Sequence, residues 1–317
     1  MKSPLAVEPV LERLLTNTDW IDNIGDLGLL LWLCAHMAPG QLEKVGKRMG
    51  VSTALHRYRD AQAAHTMELA WFLTGLCYWE LASPRNQAGI KDLAFETYEK
   101  LKRNQGKYGI FAHAARHGSL AERSRGWIGS FADQVYPIYA MSLFSSAFGD
   151  REAPTRALQC ARAICEAQGE KGQWWWHYDS SQGQVIEGYP VFSVHQHAMA
   201  PMALFQLGDL TAHDFNPWIY KGLQWINSNN ELKYEMEDAS HAVIWRCICR
   251  SRRSLARYLQ AGLGRYSDKI EHECPEDLKI LFECRPYELG WLLYAFAARS
   301  GKNDTCTSNQ LNSPCHT

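Results

Sequence analysis

Charge of one sign is the plainest thing missing from this sequence. Its 317 residues hold 33 Lys and Arg against 34 Asp and Glu, a net charge of −1. No global field therefore draws it to nucleic acid, and no acidic or basic tail is present. Long apolar runs are missing too. The longest, Leu27 to Met37, is about half of what a bilayer-spanning helix needs, so no transmembrane segment is expected. The stretch Met1 to Pro9 has no apolar core and carries Glu8, unlike a secretory signal. No phosphate-cradling Gly loop occurs, nor a Gly-x-Ser-x-Gly nucleophile turn, and no cofactor is expected. Cysteine is plentiful, at ten, but paired spacing is absent. Cys247 and Cys249 stand too close for a structural zinc pair, and Cys274 and Cys284 lack CxxC partners. Cys34, Cys77, Cys160 and Cys165 sit in apolar runs as small hydrophobes. This usage predicts a reducing, cytoplasmic setting.

Strand-type alternation is rare, and helical periodicity fills the chain. Six segments are more apolar than a surface helix should be, beginning near Asp26, His65, Asp133, His195, His241 and Pro286. Amphipathic stretches lie between them, over roughly 4–16, 41–62, 85–104, 151–168, 214–229 and 253–272. A helix apolar all round is buried, and one with a polar face lies outside. The alternation predicts an all-α (α/α)6 toroid of inner and outer helices. It forms one domain over 1–299, its hairpins spanning 20–299, followed by a disordered polar tail over 300–317.

An internal repeat supports the hairpins. Gln105-Gly106-Lys107-Tyr108-Gly109-Ile110-Phe111 matches Gln168-Gly169-Glu170-Lys171-Gly172-Gln173-Trp174 as Q-G-x-x-G-x-aromatic. In each, the first Gly stops an outer helix, the second permits a tight turn and the aromatic plugs a gap. The two glutamines are expected at equivalent places in neighbouring hairpins, with a degraded third copy over Gln224 to Asn230. This pattern resembles the Gln/Trp repeat of squalene–hopene cyclases. By it the chain is identified as a member of the terpenoid cyclase/protein prenyltransferase toroid superfamily, and Gly172 to Leu204 is similar to bacterial single-toroid proteins associated with polysaccharide biosynthesis. The chain departs from those families in three ways. It has residues for one barrel rather than two, its nearest aspartate-rich stretch is Glu235 to Ser240, and it offers no Asp/Cys/His zinc site.

In an alternating toroid all inner helices run the same way, so their N-termini meet at one rim. That rim should collect Asp26; His65 and Glu68; Asp133 and Tyr136; His195 and His197; Asp238 and His241; and Tyr287 and Glu288. Helix capping accounts for the acids, Asp26 above all. It accounts poorly for the histidines, because a cationic ring is disfavoured at a helix N-terminus. The segment before the fourth inner helix adds Trp174, Trp175, Trp176, His177, Asp179 and Tyr189. Three successive Trp cannot all face one side, so at least one should face outward or toward a ligand, the others packing between hairpins. Flat rings suit a pyranose face or a carbocation. A metal pair at His195 and His197 is not expected, since i, i+2 residues face different ways on a helix. Arg246, Arg250, Arg253 and Arg257 share a helix face by spacing, which is either solvated or anion-binding.

Three functions fit these residues. One is acid/base chemistry on a carbohydrate by a hydrolase, lyase or epimerase, with His195, Asp133, Glu68, His177 and Tyr189 as its centre. Another is terpenoid-cyclase-like protonation of an isoprenoid. The last is a non-catalytic glycan- or lipid-binding scaffold. The ligand is a small molecule, an oligosaccharide or an isoprenoid, and a polar His-rich rim favours sugar. The remaining rim residues, His65, Tyr136, His197, His241, Tyr287 and Glu288, are expected to bind substrate with Asp179 and the three Trp.

Overall fold

The computed structural model describes residues 7–83, 88–114, 126–251, 275–297 and 299. The chain is mostly helical with short strands, as the periodicity predicts. It divides into two compact units. Unit 1 is Met1–Ala167, Trp176–Glu187 and Gln206–His213; unit 2 is Gln168–Trp175, Gly188–Phe205 and Asp214–Thr317. The tail over 300–317 and the stretch over 253–272 lie outside the described residues.

Unit 1 is built on three apolar helices, α2 (Ile24–Met37), α6 (Thr66–Ala82) and α8 (Ala132–Phe148). Amphipathic helices accompany them: α1 (Val7–Thr16), α3 (Leu42–Met49), the short α4 (Ala54–Arg57) and α5 (Arg59–Ala63), α7 (Ala88–Lys102) and α9 (Ala153–Glu166). Small residues let α2 and α6 touch. A Cβ on Gly28 would collide with the backbone of Trp71 and Phe72, and one on Gly75 with Gly28 O. The matched positions advance together, Gly25 with Glu68, Gly28 with Trp71 and Leu31 with Gly75, so the two helices run parallel. Between α6 and α8, Trp71 meets Tyr136 edge-on at 5.1 Å, and the Tyr78 and Tyr139 hydroxyls are 2.5 Å apart. That pair is parallel as well. All three N-termini therefore lie at one end of unit 1. A three-stranded antiparallel sheet of β1 (Ile128–Ser130), β2 (His177–Asp179) and β3 (Gln184–Glu187) leads into α8, pairing Ser130 with His177.

Unit 2 contains β4 (Val191–Phe192), a five-residue π-helix (His195–Met199), the start of α10 (Ala200–Thr211), α11 (Asn216–Ile226), the pair β5 (Glu237–Asp238) and β6 (Val243–Ile244), β7 (Cys247–Arg250), β8 (Leu278–Leu281) and α12 (Pro286–Phe296). The expected inner helix at His241 is absent. Its residues form β6 and β7, with β7 set between β4 and β8. The β-branched Val243, Ile244 and Ile248 and the aromatic Trp245 suit a pleated surface better than a helix. The helix-face reading of Arg246 and Arg250 fails with it, and Arg253 and Arg257 lie outside the described residues.

The two glutamines make the same bonds. Gln105 Nε2 donates to Gly109 O (3.1 Å) and Arg156 O (2.9 Å); Gln168 Nε2 donates to Gly172 O (3.1 Å) and Trp218 O (3.0 Å). Each thus ties its own turn to the first half of the next outer helix, α9 or α11. Gly109 and Gly172 have φ of +89° and +96°, where a side chain is strained. A third turn exists, but it is Asn230 to Lys233, not a motif starting at Gln224. Lys233 N donates to Asn230 O (3.1 Å) with φ +50°, as Gly109 N does to Gly106 O (3.0 Å). A further pair repeats on the inner segments. Gln134 brackets the Phe111 backbone, accepting from N (2.7 Å) and donating to O (3.0 Å). Gln196, with its amide oriented by its partners, donates to Gly172 O (2.8 Å) and accepts from Trp174 N (3.2 Å). The residues before them, Asp133 and His195, thereby hold corresponding places.

Each repeat glutamine bridges two carbonyls. Gln105→Ala and Gln168→Ala should each destabilise the chain by about 1–3 kcal/mol, read from urea unfolding. Losses within experimental error for both would show that the turns do not depend on these amides.

Candidate functional site

At the common N-terminal end of α2, α6 and α8, unit 1 assembles a set of titratable groups. His65 is the N-cap residue of α6, Glu68 lies in its first turn, and Asp133 lies in the first turn of α8. The sequence reading did not single out His113, which completes the set. Its N–H donates to Ile128 O (3.0 Å) and its carbonyl accepts from Thr66 N (2.8 Å), so it is pinned between β1 and the start of α6. The His113 ring stacks on His65 with centroids 5.2 Å apart. Its Nδ1 lies 3.3 Å from Asp133 Oδ2. The same oxygen accepts from Ser130 N (2.8 Å) and Ser130 Oγ (2.8 Å). Asp133 is 1% exposed while the His113 side chain is 49% exposed, so the carboxylate is held and the imidazole meets solvent.

A repeat signal existed for His113. It stands eight residues after Gln105, as Trp176 stands eight after Gln168. Just as His113 O receives the first N–H of α6, Trp176 O receives Phe131 N (3.0 Å) at the start of α8.

The electrostatics follow from burial and pairing. The Asp133 hydrogen bond raises the His113 pKa above 6.5 against the opposing cost of burial, and Glu68 adds to the rise. Burial raises the Glu68 carboxyl above its ordinary value, and the Asp133 charge pushes the same way. Three buried polar atoms here have no hydrogen-bond partner: Glu68 Oε2, Asp133 Oδ1 and Trp71 Nε1. Trp71 is one helical turn from Glu68 on the same face and packs edge-on to the buried Tyr136. Asp60 accepts Ile24 N (3.0 Å) and caps α2 beside Asn23 and Asp26, which makes Asp26 part of a cap.

The expected site residues separate by role. Glu68, Asp133, His65, Tyr136 and, through its pairing with Ser130, His177 come together in unit 1. Trp174 and Trp175 are fully buried in unit 2 and pack its interior, whereas Trp176, in unit 1, is half-exposed and tilted on His177 at 4.8 Å. Asp179 is buried, and its Oδ1 accepts from Ser181 N (2.7 Å), Ser181 Oγ (2.6 Å) and Gln182 N (3.2 Å); these bonds form the β2–β3 turn. In unit 2, Tyr189 Oη donates to Glu231 Oε1 (2.5 Å), which also accepts from Gln173 Nε2 (3.0 Å), while Glu231 Oε2 accepts from Trp225 Nε1 (2.9 Å). Tyr189 is thereby a brace. His241 is exposed and paired with Asp238 (2.8 Å) on a strand turn, not at a helix N-terminus. Tyr287 is exposed and Glu288 buried in the first turn of α12.

His195 and His197 are buried in the π-helix, a geometry frequent at functional positions. Burial, with the His197 ring also opposing its charge, pushes His195 down to about 3; burial brings His197 to about 4. At neutral pH both are uncharged, so neither is tuned for proton exchange there. A cavity of about 710 Å³ also opens between α1, the C-terminal end of α2 and α3, lined by Glu12, Met37, Lys44 and Arg48 among others. It contains no histidine and sits at the other end of α2, roughly 20 Å of helix away, so the chemistry points to the Glu68–His113–Asp133 end.

No protein-family model matches the chain, and no curated protein matches it. Solved structures do. An unsaturated glucuronyl hydrolase from Bacillus sp. GL1, responsible for glycosaminoglycan degradation, is similar at 16% identity and TM-score 0.54, over 91% of this chain and 78% of that one. A D-mannose isomerase is similar at 13% identity and TM-score 0.52, over 77% of this chain; the match spans only 56% of the isomerase. The cellobiose 2-epimerase from Spirochaeta thermophila DSM 6192 is similar at 14% identity and TM-score 0.51, over 70% and 71% of the two chains. These are carbohydrate-processing enzymes of the α/α-toroid class, and the likeness shows that fold class for this chain. The terpenoid-cyclase resemblance is carried by the glutamine turns alone. No helix among the described residues is long and apolar enough to cross a membrane.

Unit 2 should have a pH-dependent stability set by its buried groups. His195 and His197 have lowered pKa values, so their contribution is complete above pH 6.5 and is lost as pH falls through about 4 and about 3. Burial raises Glu288 from 4.5 to about 7, so its contribution is complete below 4.5 and is lost as pH rises through about 7. The Glu288 effect is on the order of 3 kcal/mol. Denaturation midpoints should climb along an acid limb between about pH 4 and 6.5, which His197→Gln flattens, while Glu288→Gln steepens it by removing the opposing loss that runs from 4.5 to about 7. An acid limb unchanged in both variants would contradict these assignments.

Proposed function

We propose that unit 1 carries out acid/base catalysis on a carbohydrate at Glu68, His113 and Asp133. The observation that carries this reading is the group of unpartnered buried atoms, Glu68 Oε2, Asp133 Oδ1 and Trp71 Nε1, beside a half-exposed imidazole. Buried polar atoms are nearly always bonded, and a hydroxylated ligand supplies the missing partners.

Each residue has a distinct part. Asp133 is a positioning residue: Ser130 holds it, and it fixes the His113 ring through Nδ1. That leaves His113 Nε2 to take or give a proton near neutrality. Glu68, with its raised pKa, is the complementary acid. Trp71, and Trp176 with His177 on the adjoining strand, offer ring faces for a pyranose. Hydrolysis, elimination and epimerisation all need one group that gives a proton and one that takes it. An isoprenoid cation would need a dry aromatic enclosure, and a solvent-facing His113 does not provide one. The likeness to a glucuronyl hydrolase, an isomerase and an epimerase supports the carbohydrate reading.

The test is incubation of the purified chain with a panel of saccharides in D₂O, with mass detection. Added water marks hydrolysis, and gained deuterium marks epimerisation or isomerisation. Glu68→Gln and His113→Ala should each lower the rate by about 10²–10⁴-fold with little change in melting temperature. Asp133→Asn should lower the rate and shift its pH profile, because His113 loses its partner. Full activity in all three variants would remove the site from unit 1.

A further inference from the structure

Unit 2 carries a second set of groups that this chemistry leaves unused. Where β7 begins and β8 ends, Phe282 meets Trp245 edge-on at 5.2 Å and Tyr234 at 5.9 Å. Phe282 is 59% exposed and Tyr234 41%, with Trp245 half-buried beside them. Beside it, Glu283 Oε1 accepts from Arg246 Nη1 and Arg285 Nε, each at 2.7 Å. The Arg246 guanidinium also lies over the Phe192 ring at 5.5 Å. In the first turn of α12, Glu288 is 1% exposed; its carboxyl feels the Arg246 guanidinium and the Tyr287 hydroxyl, but neither of its oxygens makes a hydrogen bond of ordinary geometry. Arg246 Nε is likewise unbonded.

A buried carboxyl left unbonded costs several-fold in equilibrium terms, and an exposed ring cluster marks an interaction surface. The ligand that answers both has an apolar face and outward hydroxyls. Both guanidiniums are already paired with the Glu283 carboxylate, so neither is left for an anionic ligand. We propose that this surface binds a neutral saccharide, with the exposed Phe282 ring against the apolar face of a sugar ring, Trp245, set perpendicular to it, at the edge of that sugar, and Glu288 and Arg246 taking adjacent hydroxyls. The ligand class rests on the carbohydrate reading above, but the site does not depend on catalysis in unit 1. Rings stack on pyranose faces, and a carboxylate beside a guanidinium matches a vicinal diol, one accepting and the other donating.

The full chain, as the Glu68→Gln variant so that turnover does not consume the probes, is titrated calorimetrically with maltose, cellobiose, mannobiose and glucuronate. At least one neutral disaccharide should bind. Adding Phe282→Ala should weaken that binding roughly tenfold without lowering the melting temperature, because the ring is exposed. Adding Glu288→Gln should weaken it as well while the chain stays folded. The proposal is overturned if no neutral disaccharide binds, if glucuronate alone binds, or if both additions leave the affinity unchanged. It is also overturned if Phe282→Ala turns a dimer into a monomer by light scattering, since the rings would then face a second copy. Loss of binding in Phe282→Ala with undiminished turnover in the otherwise native chain would leave the unit 1 reading standing. Retained binding with full turnover in Glu68→Gln would refute that reading while leaving this one intact.

Discussion

The close approach of α2 and α6 through Gly28 and Gly75 is the contact on which unit 1 is built. Any larger residue at either position would drive a Cβ into the facing backbone, so the helices could not lie flush or in parallel register. Because they do, and because Trp71–Tyr136 and Tyr78–Tyr139 hold α8 in the same sense, three helix N-termini arrive at one end. Carboxylates at such ends are favoured by the helix dipole and by unsatisfied N–H groups. Their own solvation is then reduced by the packing that brought them there. This is how an apolar contact deep in the unit produces a raised Glu68 carboxyl and a paired Asp133 at its rim.

The repeat turn does the complementary work. Gln105 and Gln168 stitch a turn to the next outer helix, Gln134 and Gln196 stitch it to the following inner segment, and the chain leaves the turn with a fixed direction. In unit 1 that direction delivers His113 to Asp133. The same scaffold places Trp176, eight residues beyond its glutamine, half-exposed beside His177. One structural device thus presents an imidazole in one copy and an indole in the next.

Much of this was legible in the sequence. The apolar runs at Asp26, His65 and Asp133 became parallel inner helices, and their first turns supplied Glu68 and Asp133 as the topology required. Gln105 and Gln168 proved equivalent down to their acceptors. His113 was not legible as a site residue, because it lies in a connection and not in a periodic segment; only its distance from Gln105 pointed to it. The segment at His241 misled because Val243 to Arg250 is apolar enough for an inner helix, while its β-branched content and cross-strand partners make it β6 and β7. Trp174 and Trp175 read as possible ligand faces, yet adjacent bulky rings after a tight turn are drawn into the interior. His195 corresponds in the repeat to Asp133, but complete burial takes away the titration near neutrality that would make it a proton carrier.

The central claim is that Glu68, His113 and Asp133 act as one electrostatic unit at the helix rim. The most direct measurement is an NMR titration of the His113 ring in the native chain and in Asp133→Asn. The account predicts a His113 pKa above 6.5 that falls when Asp133 loses its charge. A ring that titrates at 6.5 or below in the native chain, and does not respond to Asp133→Asn, would contradict it.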